Sequence, residues 1–220
     1  MGRLRLAVLI SGRGTNLQSL IDACGDTGYP AEIAIVISNN PDALGIERAA
    51  RAGIPTRVID HRPFEDRGAF ERALDSALEE ADTGLICLAG FMRLLTPWFV
   101  ERWRDRLINI HPSLLPAFRG LDTHARVLAA GARISGCTVH FVRAEMDCGP
   151  IVVQAAVPVV DGDDEARLAA RVLTAEHLSY PHAVRLIAEG RVRVAADRCV
   201  IDDAGEPGAT LVSPSPPGGA

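Results

Sequence analysis

The feature that most constrains the fold is an alternation of short apolar runs with longer amphipathic stretches across the first two thirds of the chain. Leu4 to Ile10 reads as a strand and Thr15 to Ala23 as a helix; Glu32 to Ile37 reads as a second strand. Asp42 to Ala52, behind the turn Asn39-Asn40-Pro41, reads as a helix that Gly53 stops. Thr56 to Ile59 gives a third strand, Phe64 to Ala81 a long helix and Gly84 to Leu88 a fourth strand. Pro97 to Trp103 is a short helix with proline in its first turn, and Leu107 to Ile110 a fifth strand. Near-continuous apolar strands joined by helical crossovers predict an α/β fold: a Rossmann-like, mostly parallel twisted sheet flanked by helices.

The later part departs from that rhythm. After a helix near Thr123 to Ala130, the runs Thr138 to Val142 and Ile151 to Val159 stand too close for a helical crossover, so they are expected to be antiparallel neighbours. Asp163-Asp164-Glu165 starts a long helix, with negative charge where the dipole favours it, running towards Gly190 with a bend near Pro181. Arg191 to Val194 is expected to add an edge strand. One domain over 1–202 follows, and the Gly- and Pro-rich segment 203–220 is expected to be a disordered tail.

Composition removes several function classes. No apolar run approaches the roughly 20 residues of a membrane helix, and the N-terminus enters a strand with no export signal, so a cytoplasmic protein without a membrane partner is expected. All 23 basic residues are arginine, which excludes a lysine Schiff base and a Walker-type phosphate lysine. A net charge of -5 argues against nonspecific nucleic-acid binding. Five widely spaced cysteines with no C-x-x-C pair, and histidines without H-E-x-x-H spacing, give no metal site.

Three constellations, and a weaker fourth, could carry chemistry. Ser11-Gly12-Arg13-Gly14-Thr15-Asn16 lies between the first strand and the first helix, where glycines allow a sharp turn and free amides face an anion. Leu17 occupies the third-glycine position of a dinucleotide fingerprint, so a phosphate is favoured over a nicotinamide cofactor; a helix cap made by Thr15 or Asn16 that binds nothing is the alternative. Asn109 and His111, two residues apart at a strand end, project to one side ahead of Pro112. An amide donor beside an imidazole suits a reaction that develops negative charge on a carbonyl oxygen. Asp147, between the two late strands, is by spacing alone a turn former. Gly90 to Leu95 combines apolar surface with one cation, Arg93, and suits a flat heterocycle carrying an acid, or simple core packing.

Taken together, Val8 to Leu17, Ala89 to Arg93, Asn109-Ile110-His111-Pro112-Ser113-Leu114-Leu115-Pro116, Gly136 to Phe141 leading to Asp147, and Thr174-Ala175-Glu176-His177 resemble the glycinamide ribonucleotide formyltransferases of the folate-dependent formyltransferase superfamily. The resemblance runs from the first strand to about Val194. It implies transfer of a formyl group from 10-formyltetrahydrofolate, without a metal, to the amine of glycinamide ribonucleotide in purine biosynthesis. It also implies a nucleotide-binding half at about 1–105, a folate and catalytic half at about 106–202, and is compatible with a homodimer. By the same resemblance Asn109, His111 and Asp147 are the catalytic trio. Gly14, Thr15 and Asn16 hold the substrate phosphate, and Glu176 lies near the glycinamide. Arg67, Met92, Arg93, Leu94, Leu95 and Asn109 contact the folate. Arg119 and Cys148 depart from the family pattern beside the site.

Three rivals are weighed against this. A formyltransferase acting on initiator methionyl-tRNA should carry a basic C-terminal domain, and a deformylase an extra N-terminal domain; neither is expected here. A noncatalytic nucleotide- or folate-binding module would leave Asn109 and His111 idle.

Overall fold

Leu6 to Ile10 are wholly buried, as a strand can be only when both faces of its sheet are covered. In the computed structural model, which describes residues 2–205, 208 and 211–214, this strand is β1 (Leu4–Ile10) of a seven-stranded sheet. The chain continues through α1 (Thr15–Cys24), β2 (Ala31–Ser38), α2 (Leu44–Arg51), β3 (Thr56–Val58), α3 (Arg67–Glu80), β4 (Leu85–Leu88), α4 (Pro97–Arg102) and β5 (Leu107–His111). It then forms α5 (Thr123–Ala129), β6 (Ile134–Phe141), β7 (Ile151–Pro158), α6 (Glu165–Ala188), β8 (Val192–Ala195) and β9 (Arg198–Ile201). The sheet order is β3-β2-β1-β4-β5-β6-β7, parallel through β5, with β6 antiparallel to both its neighbours. Much of the tail expected over 203–220 lies outside the described residues.

The period of two along β1 divides the core. Leu6, Val8 and Ile10 pack with Leu17 and Leu20 of α1 and with Tyr180 and Val184 of α6. Ala7 and Leu9 face the opposite way, with Phe70 and Leu74 of α3 and Phe99 and Trp103 at α4. A third cluster joins Val127 of α5, Cys137 and Val157 of the late strands, and Leu168 and Val172 of α6. Helix starts follow local chemistry. The Asp66 carboxylate accepts from the Ala69 amide at 2.6 Å, and that of Asp164 from the Arg167 amide at 2.8 Å. Such caps are worth about 1 kcal/mol each, and the first of them sets the start of α3 at Arg67 rather than at Phe64.

Two strand expectations need correction. β6 begins at Ile134, not Thr138, because Gly136 is a close-approach residue rather than a breaker: a Cβ there would sit 1.9 Å from the Ala155 carbonyl oxygen of β7. The predicted edge strand at Arg191 to Val194 forms as β8 but does not join the main sheet; it pairs with β9 in a separate antiparallel hairpin. The turn between them is Ala196-Asp197, both at positive φ (47° and 57°), with none of the Asn-Gly chemistry that marks such turns in a sequence. Helix α6 continues through Pro181, whose carbonyl accepts from the Tyr29 hydroxyl at 2.7 Å.

Candidate active site

β1, β4 and β5 are adjacent and parallel, so the segments that leave their carboxyl ends share one edge of the sheet, where open α/β folds bind ligands. After β1 comes the glycine loop. Gly14 has φ +69° and precedes α1, and no side chain caps that helix, which sets aside the capping alternative for Thr15 and Asn16. The Gly14 carbonyl accepts from Gln18, so the amides of Thr15, Asn16 and Leu17 are the free donors of a first helical turn. The loop is pressed against α2: the Gly45 amide donates to the Gly12 carbonyl at 3.0 Å, and a Cβ on Gly14 would lie 2.7 Å from the Gly45 Cα.

Asn16 turns its side chain across to α6, where its amide donates to Glu176 at 2.8 Å. Its carboxamide oxygen is buried with no partner among the described residues, which leaves an acceptor ready for a donor such as a ligand amide or amine. Glu176 is buried, and desolvation raises its pKa, partly offset by the Asn16 hydrogen bond. A carboxyl whose folded pKa is raised destabilises the fold above that value, and the penalty fades as pH falls through it. Glu176→Gln, which keeps an acceptor for Asn16, is therefore expected to raise the thermal midpoint at pH 8 and to lose that advantage near pH 4. Melting curves at the two pH values test this; a lower midpoint at pH 8 would contradict it.

After β4, the segment 90–96 is pinned at both ends. Its start is held at the glycine loop, because the Ser11 amide donates to the Gly90 carbonyl at 3.2 Å and the Met92 amide donates to the Ser11 hydroxyl at 2.8 Å. Its end is held by Glu71 of α3, wholly buried, which accepts from the Thr96 amide at 2.7 Å and from the Thr96 hydroxyl. Between the pins Met92 and Leu94 are exposed, Arg93 and Leu95 are half-buried, and Arg67 is exposed at the first turn of α3.

At the end of β5, Asn109 and His111 project as alternation requires, and His111 is brought to Asp147. The His111 Nδ1 lies 3.4 Å from Asp147 Oδ2, and its Nε2 donates to the Phe118 carbonyl at 3.0 Å. Both ring nitrogens thus face oxygen acceptors, which only the doubly protonated ring satisfies in full. Asp147, at φ 50°, also accepts from the Gly120 amide at 2.8 Å. Asn109 does not touch Asp147; its link is His140, the residue opposite it on β6. His140 directs Nδ1 at the Phe141 carbonyl, 3.0 Å away, which leaves Nε2 as an acceptor 3.5 Å from the Asn109 amide nitrogen and 4.0 Å from Asp147 Oδ1. Burial lowers the His140 pKa, outweighing the Phe141 carbonyl and the Asp147 charge, and so favours that neutral form.

Sequence reasoning placed Ser11 in the glycine loop without a role of its own, and missed Glu71 and His140 as parts of this site. For His140 the signal was available: it alternates with Thr138 on a strand running antiparallel to Asn109 and His111. Thr138 itself braces the loop after His111, accepting from the Leu115 amide at 3.0 Å and donating to the Ser113 carbonyl at 2.7 Å. Among the described residues no group of three or more His, Cys, Asp or Glu side chains is arranged to hold a metal ion, and no helix is long and apolar enough to cross a membrane.

Residues 4–184 match the formyl transferase family. The chain is 43% identical over 199 residues to the phosphoribosylglycinamide formyltransferase of Escherichia coli K12, covering 90% of this chain and 94% of that protein. It is 50% identical over 192 residues, 87% of its own length, to the trifunctional purine biosynthetic protein adenosine-3 of Bos taurus, of which it spans 19%. The solved structure of glycinamide ribonucleotide transformylase 1 from Symbiobacterium toebii superposes with a TM-score of 0.89 at 47% identity, covering 91% of this chain and 95% of that one. The chain belongs to the formyl transferase family.

Proposed function

We infer that the protein transfers the formyl group of 10-formyltetrahydrofolate to the amine of N1-(5-phospho-D-ribosyl)glycinamide, giving the formylated ribonucleotide and tetrahydrofolate for purine biosynthesis. The observation that carries this reading is the His111–Asp147 pair, with little of either side chain exposed and Asn109 beside it on β5, two strands along the sheet from the β1 end that carries the glycine loop.

The roles follow from the geometry. The amides of Thr15 and Asn16, behind Gly14, offer a phosphate the free donors and partial positive charge of a helix start. The Glu176 carboxylate and the unpartnered Asn16 oxygen are acceptors for the amine and amide hydrogens of the glycinamide. Exposed Met92 and Leu94 offer apolar contact to a pterin ring, with Leu95 beside them, while Arg93 and Arg67 supply fixed charge for a ligand with carboxylates. As the amine nitrogen bonds to the formyl carbon, the carbonyl oxygen gains negative charge. The Asn109 amide, held by His140, donates to that oxygen. The His111 imidazolium, balanced by Asp147, adds positive charge and supplies the proton that the leaving folate nitrogen needs. The amine passes its own proton to the His111 ring as the tetrahedral intermediate collapses, which restores the imidazolium and returns the site to its starting state.

The test is tetrahydrofolate formation, followed by absorbance, with and without the ribonucleotide. Transfer requires turnover that depends on the ribonucleotide; turnover without it would mean hydrolysis, and binding alone a noncatalytic module. For the phosphate loop, Gly14→Val places a β-branched side chain at positive φ against Gly45. Loss of a few charge-assisted hydrogen bonds predicts ribonucleotide affinity about tenfold weaker or worse, with folate affinity nearly unchanged. Equal ribonucleotide affinity in titration calorimetry would move the phosphate site elsewhere.

A further inference from the structure

Arg143 stands where β6 gives way to the loop that carries Asp147, and its side chain is only 10% exposed. Each of its nitrogens is engaged. Nη2 donates to Asp105 at 2.8 Å, Nε to Asp197 at 2.8 Å and Nη1 to the Val142 carbonyl at 3.1 Å. Burial by itself would lower the Arg143 pKa, but the two carboxylate hydrogen bonds outweigh it and raise it. Asp105 belongs to the turn between α4 and β5, and Asp197 to the β8–β9 turn, so three separate parts of the chain meet at one side chain. Asp105, Ala196 and Asp197 all adopt positive φ (56°, 47° and 57°). Non-glycine residues persist in that region where surrounding contacts hold them, and such positions gather at functional sites. Arg104 lies 3.9 Å from Asp197, so two arginines balance two aspartates.

The cluster also grips the far stem of the loop. A Cβ on Gly149 would lie 1.6 Å from the Phe141 carbonyl oxygen and 3.3 Å from the Arg143 Cγ. The two stems therefore touch at Arg143, and Asp147 sits only two residues before Gly149.

We propose that Arg143, clamped by Asp105 and Asp197, is a positioning residue: through it the β8–β9 hairpin and the α4–β5 turn fix the stems of the 144–149 loop and hold Asp147 against His111. The proposal rests on the role given to Asp147 in the formyl-transfer reading, yet it has a readout independent of activity. The Gly120 amide donates to Asp147, so its hydrogen exchange in the unliganded protein reports whether that carboxylate is in place.

The experiment compares Arg143→Ala and the double variant Asp105→Asn/Asp197→Asn with the parent, and includes Arg143→Lys. Displacements of about an ångström can cost up to 100-fold in rate, so a partial loosening is expected to lower kcat about tenfold. The KM for the ribonucleotide should stay within about twofold, since the glycine loop lies on other elements. Exchange at Gly120 should quicken about tenfold while the β5 amides keep their protection. Arg143→Lys, which can still reach one carboxylate, should recover most of both effects. Unchanged Gly120 exchange in the first two variants overturns the proposal. So does a loss spread over the β5 amides and the ribonucleotide KM that lysine does not rescue, because that is general loosening of the fold. An inactive parent would sink the formyl-transfer reading and leave the exchange data to decide the clamp.

Discussion

Asn109→Ala is expected to lower kcat about 100- to 1000-fold, the usual cost of removing one hydrogen-bond donor from an oxyanion site, while KM for either substrate changes by no more than a few-fold. The asymmetry follows from where the charge is. The formyl oxygen is a weak acceptor in the ground state and carries a full charge only in the tetrahedral intermediate, so a donor aimed at it stabilises the transition state far more than the bound substrate. Asn109 suits this because its amide is aimed before substrate arrives. It lies on β5 directly opposite His140, and the neutral tautomer of that histidine leaves Nε2 as an acceptor for one of the two amide hydrogens. The second hydrogen remains for the substrate. Truncation leaves no buried ionised group without a partner and orphans only the His140 Nε2 acceptor, a cost of about 1 kcal/mol, so the thermal midpoint should fall by only about 2–4 °C, and rate and stability can be separated. Steady-state kinetics with both substrates varied would settle it: a rise in KM at unchanged kcat would make Asn109 a binding residue and remove it from the chemistry.

The chain shows unevenly in its sequence what it does in three dimensions. β1 was legible to the residue because both of its faces are buried, so every position from Leu6 to Ile10 had to be apolar. The Asn109–His111 pair was legible because strand alternation puts residues two apart on one side and Pro112 ends the strand. Legibility fails where a residue's meaning depends on a distant neighbour. Gly136 looks like a strand breaker until the Ala155 carbonyl beside it is seen. His140 is an ordinary strand residue until the β5–β6 register sets it opposite Asn109. Glu71 lies in a charged helical sequence, Phe70-Glu71-Arg72, yet faces inward and ties down Thr96, because its helical neighbours Phe70 and Leu74 face the same core. Asp147 shows the limit most clearly. Its spacing suggested a turn former, and it does occupy a turn at positive φ. β6 ends beside Ile108, at the start of β5, and only the loop that follows, folding back from there, brings that turn to His111.

That placement makes Asp147→Asn a clean substitution. A single carboxylate oxygen, Oδ2, accepts from the Gly120 amide at 2.8 Å and faces His111 Nδ1 at 3.4 Å, while Oδ1 lies 4.0 Å from His140 Nε2. An asparagine whose oxygen takes the place of Oδ2 keeps Gly120 and still offers His111 an acceptor, and its NH2 group then points at the lone pair of His140. Asparagine also tolerates the left-handed backbone that Asp147 adopts. Shape and hydrogen bonding are thus preserved, and the negative charge is what disappears. A charged ring nitrogen facing a neutral amide loses its counter-ion in a site of low exposure, where such an interaction is strongest. If His111 acts as an imidazolium that stabilises the oxyanion and delivers the proton, kcat should fall by about 100- to 10,000-fold, the range for general acid–base groups. Asp147→Ala should be worse in a second way: it also removes the acceptor for Gly120 and frees the strap of residues 117–121 whose Phe118 carbonyl holds the other ring nitrogen. The two variants together separate charge from architecture. A loss in Asp147→Ala with none in Asp147→Asn would make Asp147 a loop anchor and remove its charge from the chemistry.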